Sequence, residues 1–502
     1  MPTLAISNFN LVCALLGGFV ILFGLVSYLV RGKMYISEAL PSLLFGTTFK
    51  VAGLFRPTLY GTTTADITRE FTRLVLGVQL VIGGVQLPGK YLWHEWRSLF
   101  MLLVPVMTTM WIVSALIIYL CIPKLNYLDA LIIGACVTPT DPVLSNSIVK
   151  GRFAETSIAE PLRNLISAES GANDGFGYPF LFLALYILRD NGAAIARDWI
   201  VETIIYEIIL SIVYGAVIGY IAMRTLHFAK EKNMVDDESF VIFVFALALF
   251  IVGTAGLVGT DDLLACFVAG NVFTCDWFRV ETEEDSLQSA LDMILNVAMF
   301  TWLGTVIPWT DFNTPQIPVW RFVVMGLAIL VFRRLPIVLV LHKAIPRVES
   351  FREAIFAGFF GPIGVGAVFY LSLLLDTLAT FTQTEEVAYI ANVAPLVIYF
   401  LVVSSVIVHG ISIPALVLGP TMPRTLSRSL TQLGSVTARQ FSTFSRSMTI
   451  VERAPELRIT HRNIATSGDE ADELDNIYVV DIAGNREGRD KRAISHSIGS
   501  VS

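Results

Sequence analysis

The stretch "ACVTPTDPVLSNS", residues 135–147, puts two prolines, an aspartate and several hydroxyls in the middle of an otherwise apolar run. Pro139 and Pro142 have no N–H, so the carbonyls of Ala135 and Thr138 lose the donors that an unbroken helix would return to them. Asp141, directly before Pro142, reads as a helix N-cap followed by proline at the first helical position. The stretch therefore reads as two half-helices meeting inside an apolar layer. In a bilayer, broken helix survives only where it is buried in protein or lines a watery cavity. A loop merely joining two spans would account for the prolines but not for the apolar residues on both sides.

A second interruption lies far along the chain, in "AGFFGPIGVGAVFYL" (357–371), where Pro362 stands among Gly358, Gly361, Gly364 and Gly366. Tight helix packing would also use such glycines. Interruptions at corresponding positions of two halves are the best sequence pointer to a transporter's binding site. The surrounding composition agrees: 54% of the 502 residues are hydrophobic and 15% charged, with a mean hydropathy of +0.67. A soluble domain carries about 25% charged residues. Thirteen candidate spans fall near 10–30, 38–55, 71–87, 98–122, 127–149, 161–188, 200–224, 239–258, 261–275, 287–307, 318–342, 353–375 and 394–418. Spans one to six and eight to thirteen then form two repeats, about 10–188 and 239–418, with the breaks in register at spans five and twelve. The expected fold is all-α and polytopic, an inverted repeat with two broken helices.

From 421 onward the chain turns Ser/Thr-rich, basic and then charged, and cannot bury a core, so 421–502 reads as a largely disordered tail. Lys and Arg are more frequent in the loops that a thirteen-span count places inside. With Arg424, Arg428, Arg439 and Arg446 beyond the last span, they favour an outside N-terminus and a cytoplasmic tail. The first apolar run is too long for a signal peptide's core and reads as a span. A net charge of −7 argues against nucleic acid as a partner. Cys13, Cys121, Cys136, Cys266 and Cys275 show no metal-ligand spacing and read mostly as small buried hydrophobes. No cofactor is implied.

The sixth span carries the densest polar cluster, "SAESGANDGFGYP" (167–179). Helical spacing places Ser170, Asn173, Asp174 and Gly177 on one face, with Ser167 extending it. Hydroxyls, an amide carbonyl and a carboxylate are hard oxygen ligands suited to a small cation. Gly171 and Gly175 serve helix packing, but packing does not explain Asp174, because an aspartate at mid-membrane costs roughly 2.5–3.5 kcal/mol on insertion scales. Glu169 lies on a neighbouring face and needs a partner, which Arg333 or Arg334 of "LVFRRLPIV" in the eleventh span could supply. Snorkelling of the arginines to an interface is the alternative. In "VGTDDLLACFVAGN", Asp262 reads as a helix cap, while Asp261 could cap or gather cations at a funnel mouth. His409 could titrate or be a satisfied histidine at a helix end.

Taken in order, "TPTDPVL", "AESGANDG", "DDLLACFVAGN", "FRRLP", "GPIGVGAV" and "VHGISIP" resemble the fungal sodium/proton antiporters of the monovalent cation:proton antiporter family across roughly residues 10–420. "LPGKYLWHEWRSL" is similar to the same branch. The resemblance implies thirteen spans with crossed helices five and twelve, a homodimer in the plasma membrane, and exchange of cytosolic Na+ or Li+, in some members K+, for external H+. It implies Asp174 as ion and proton carrier beside Asn173, Thr140 and Asp141 lining the site, and Glu169 paired with one of the two arginines. Only a proton-bound or cation-bound carboxylate avoids moving a bare charge, which couples the two fluxes. Asn173 in place of a second acid favours one-for-one, electroneutral exchange. A proton-coupled symporter of a small metabolite is the competing reading, and would be expected to show a larger polar pocket with aromatic residues beside the acids. A channel would display a ring of repeated carbonyls or charges.

Overall fold

The computed structural model describes residues 17–21, 37–53, 63–149, 158–190, 192–232, 239–274 and 286–418; among them the secondary structure is helical, with no strand. The chain divides into one unit over Met1–Leu430 and another over Thr431–Ser502, and the expected tail lies outside the described residues. In chain order the principal helices are α1 (Ala39–Val51), α2 (Thr64–Gln86), α3 (Trp96–Cys121), α4 (Tyr127–Cys136), α5 (Pro142–Val149), α6 (Glu160–Phe176) and α7 (Tyr178–Arg189). They continue with α8 (Ala193–Glu231), α9 (Ser239–Val258), α10 (Asp262–Phe273), α11 (Ser286–Val306), α12 (Val319–Phe332), α13 (Leu335–Leu341), α14 (Phe351–Phe359), α15 (Val365–Thr380) and α16 (Glu385–Leu418).

The second to thirteenth expected spans each coincide with a helix or a pair of half-helices. The first lies mostly outside the described residues, so the number thirteen is not fixed by them. Among the described residues, four helical stretches are long and apolar enough to cross a membrane: Trp96–Cys121, Ala193–Glu231, Val319–Ala344 and Glu385–Ser412. Others are short because the chain breaks them. Span five divides into α4 and α5, and span twelve into α14 and α15, as the prolines require. Spans six and eleven divide as well, at Gly177 and at Arg333–Arg334, two interruptions the sequence reading did not anticipate. At each, a proline two residues on (Pro179, Pro336) withholds the N–H that the preceding turn needs.

Helix starts follow local chemistry. Thr63 with Asp66, Asn126 with Asp129, and Ser350 with Glu353 form reciprocal capping boxes at the heads of α2, α4 and α14. Packing then brings backbones unusually close. A side chain at Gly84 or Gly270 would strike the facing backbone between α2 and α10, and one at Gly215 or Gly219 would strike α10 from α8. Thus α10, apolar on every side, is enclosed by its neighbours. The two breaks meet face to face: the Asp141 N–H donates to the Pro362 carbonyl at 2.9 Å.

Candidate functional site

A broken helix exposes carbonyls at the end of its first half and N–H groups at the start of its second, with partial charges of opposite sign. Where the two breaks cross, one cation and one anion satisfy both. Arg333 donates from Nη1 to the carbonyl of Val137 and, at 3.4 Å, to that of Thr138, and from Nη2 to the carbonyl of Gly361. The Asp141 carboxylate accepts from the N–H of Leu144 at 2.8 Å and from that of Gly366 at 3.2 Å, capping α5 and α15 together. Pro139, Pro142, Gly361 and Pro362 lie within or at the rim of the two non-helical stretches. The Ala135 carbonyl, deprived by Pro139, takes the Thr138 N–H instead.

The polar face of α6 lies against this crossing. Asn173 donates from Nδ2 to Thr140 Oγ1 at 2.8 Å; Ser170 Oγ stands 3.2 Å from the same hydroxyl and donates to Ser145 Oγ at 2.9 Å. Asp174 is 0% exposed, yet neither carboxylate oxygen has a hydrogen-bonding partner among the described residues, and Asn173 Oδ1 has none either. Gly366, at the head of α15, passes so close that a Cβ there would meet Asp174 Oδ1. Buried carboxylates are normally paired or hydrogen-bonded. Three oxygens without a hydrogen-bonding partner among the described residues thus lie together where α6 touches both breaks.

The doubled arginine resolves by geometry. Arg334 grips Glu169 in a two-pronged pair, Nη1 to Oε1 at 2.5 Å and Nη2 to Oε2 at 2.7 Å, and donates from Nε to the Ala357 carbonyl at 2.9 Å. Its neighbour Arg333 is the one that serves the crossing. The expected cap at Asp262 falls one residue earlier. Asp261 has extended backbone, and its Oδ1 accepts from the N–H groups of Leu263 and Leu264, both at 3.0 Å, while Asp262 already belongs to α10. Asp262 instead pairs with Arg73 of α2 at 2.5 Å. Both aspartates are buried, and the second oxygen of Asp261 has no partner among the described residues.

The ring nitrogens of His409 stand 2.9 Å from the Ser405 carbonyl and 3.2 Å from the Phe359 carbonyl. Ser405 Oγ accepts from the Ile363 N–H at 2.7 Å, so one turn of α16 holds both edges of the second break. Sequence reasoning missed Ser145, Arg73, Ser405 and Tyr370. A hydroxyl or arginine inside an apolar helix was the available signal, but nothing in the sequence gave it an address. Cys136 and Cys266 are buried and Cys121 partly so, whereas Cys13 and Cys275 lie outside the described residues.

Two crossed broken helices around an enclosed carboxylate define a secondary-transporter architecture, the class to which the fold and site assign the chain. Residues 15–419 match the family model described as sodium/hydrogen exchanger, transmembrane, and the chain belongs to that family. It is 41% identical over 445 residues to a probable Na+/H+ antiporter of Schizosaccharomyces pombe, covering 85% of this chain and 58% of that one. A Na+/H+ antiporter of Saccharomyces cerevisiae is 37% identical over 524 residues, covering 99% of this chain and 53% of that one. The chain thus spans little more than half the length of these two relatives. Another S. pombe Na+/H+ antiporter is 35% identical over 448 residues, covering 86% of this chain and 95% of its own. The solved sodium proton antiporter MjNhaP1 of Methanocaldococcus jannaschii shares the fold, with a TM-score of 0.60 at 18% identity, covering 80% of this chain and 96% of that one.

Proposed function

We propose that the protein exchanges Na+ or Li+ for H+, and that Asp174 carries either the cation or the proton. The observation that supports this best is a fully buried carboxylate whose two oxygens lack protein donors, beside an amide oxygen in the same condition. A proton neutralises that carboxylate; so does a small cation, to which Asn173 Oδ1 adds a neutral ligand. The two compete for one charge. Asp141 already accepts from two helix N-termini, and with Asp174 as the one exchanging carboxylate the exchange is one-for-one and electroneutral. Thr140 and Ser170 line the site without donating to Asp174, and Glu169–Arg334 is its structural buttress. Asp261, with one oxygen open, is a way-station for cations between Asp174 and one membrane face.

In this reading residues 1–420 form the transport domain, with repeats at about 10–188 and 239–418, and 421–502 form a cytoplasmic tail. The N-terminus lies outside, the protein works as a homodimer in the plasma membrane, and membrane lipid surrounds it. The names of the three fungal relatives above, each a Na+/H+ antiporter, favour exchange over metabolite symport.

The test is reconstitution in proteoliposomes with a trapped pH dye, comparing wild type with Asp174→Asn while Na+, Li+ and K+ are added in turn. Wild type should move protons on adding Na+ or Li+, and the variant should not. Direct competition further requires the apparent Michaelis constant for Na+ to fall by as much as about tenfold per pH unit on raising the pH. A folded Asp174→Asn variant that still exchanges would move the carrier to Asp141 or Asp261. A wild type silent to all three cations would end the exchange reading.

A further inference from the structure

The structure assigns to Tyr370 a part in the transport site that goes beyond the carrier and its oxygen neighbours: we infer that its hydroxyl fixes the position of Asp174 and thereby sets cation affinity. The inference rests on the exchange reading above. Tyr370 lies on α15 four residues after Gly366, hence on the same helix face. Gly366 meets the Asp174 carboxylate, and the Tyr370 hydroxyl donates to the backbone carbonyl of Asp174, standing 3.5 Å from that of Gly175. The broken helix thus holds the carrier residue at two points, side chain and main chain.

The main-chain point is where α6 is weakest. Pro179 has no N–H to return to the Gly175 carbonyl, and the helix stops at Gly177. The ring of Tyr370 fills the notch that Gly177 leaves, for a Cβ at Gly177 would run into the ring and its hydroxyl. Tyr178 closes the notch edge-on, its ring centroid 5.6 Å from that of Tyr370. Tyr370 is itself fully buried. With the hydroxyl donating to the main chain, the Asp174 and Gly175 carbonyls are withheld, and the oxygens left open are those of the Asp174 side chain and Asn173. Any shift of α15 moves the turn that carries Asp174, which ties the carboxylate's position to the crossing. Tyr370 is therefore a positioning residue: it touches the helix that holds the carrier, not the ion.

The experiment is sodium- and lithium-driven proton movement in proteoliposomes for wild type, Tyr370→Phe, Gly177→Ala and the double variant, with Asp174→Asn as the inactive control. Each protein is first confirmed monodisperse by size exclusion. Tyr370→Phe keeps the ring and removes only the hydroxyl. It should raise the KM for Na+ and Li+ about three- to tenfold, as expected for one hydrogen bond, while the maximal rate stays within about twofold. Gly177→Ala, which pushes on the same contact from the other side, should raise KM in the same direction. The double variant should be no worse than the poorer single one, because both perturb a single contact. Unchanged KM in Tyr370→Phe, a loss confined to maximal rate or to protein yield, or additive effects in the double variant would each overturn the inference and leave the exchange reading standing. A silent wild type would remove both.

Discussion

Asp141 and Asp174 are both buried at the same crossing, yet they are provided for in opposite ways. Asp141 accepts N–H groups from two helix starts and is answered by Arg333, which serves the two helix ends. Asp174, on the adjoining face of α6, receives no hydrogen bond to its carboxylate among the described residues. The first arrangement is closed: the carboxylate meets helix N-termini and the guanidinium meets helix C-termini, opposite charges at each. The second is open: neither oxygen meets a donor among the described residues. A buried acid with its partners in place is part of the scaffold, while one with none among the described residues is the one we propose as the carrier.

That contrast can be broken most directly at the open site. Asp174→Asn should abolish cation-driven proton movement while leaving the melting temperature unchanged or higher, since it removes an unpartnered buried charge. A large loss of thermal stability would mean that the carboxylate has structural partners after all. Next in size is the buttress. Arg334→Ala strands Glu169, which is 2% exposed, and should cost about 3–5 kcal/mol in denaturant or thermal unfolding in detergent. Replacing both partners with apolar residues of similar volume should cost far less than either single change. Arg333→Ala uncaps carbonyls at both breaks without leaving a bare anion, and should cost about 3 kcal/mol, the lower end for two hydrogen bonds to a charged group.

Smaller effects sharpen the comparison. Asp141→Asn keeps a cap oxygen but loses the charge that faces two helix N-termini, and should cost about 1–2 kcal/mol with exchange reduced rather than abolished. Abolition in a folded Asp141→Asn protein would make Asp141 a second carrier. The smallest change is expected where the pair is half exposed. Arg69 of α2 and Asp376 of α15 stand at the rim, with side chains 35% and 50% accessible, so Arg69→Ala should cost under about 1 kcal/mol. A larger loss at that rim pair would show that contact between α2 and α15 is worth more than its exposure implies.

What the sequence determined by itself was whatever depends on chain-local physics. The prolines at 139, 142 and 362 had to break their helices, because a missing N–H is a covalent fact. The spacing of Ser170, Asn173 and Asp174 had to place them on one face, because helical pitch is fixed. Composition and apolar runs dictated a polytopic helical membrane protein for the same reason. The tertiary structure alone decided who meets whom. Nothing in "FRRLP" says that the second arginine turns to Glu169 and the first to two broken helix ends. Nothing in "TDDLL" says that the cap falls on Asp261 while Asp262 reaches Arg73, nearly two hundred residues away. Those outcomes depend on the orientation of side chains at helix ends and on which helices pack together, and pairing across a fold is not written in any local stretch. The two oxygens of Asp174 are the clearest case: the residue was legible, but that no donor reaches them among the described residues is a property of the assembled bundle.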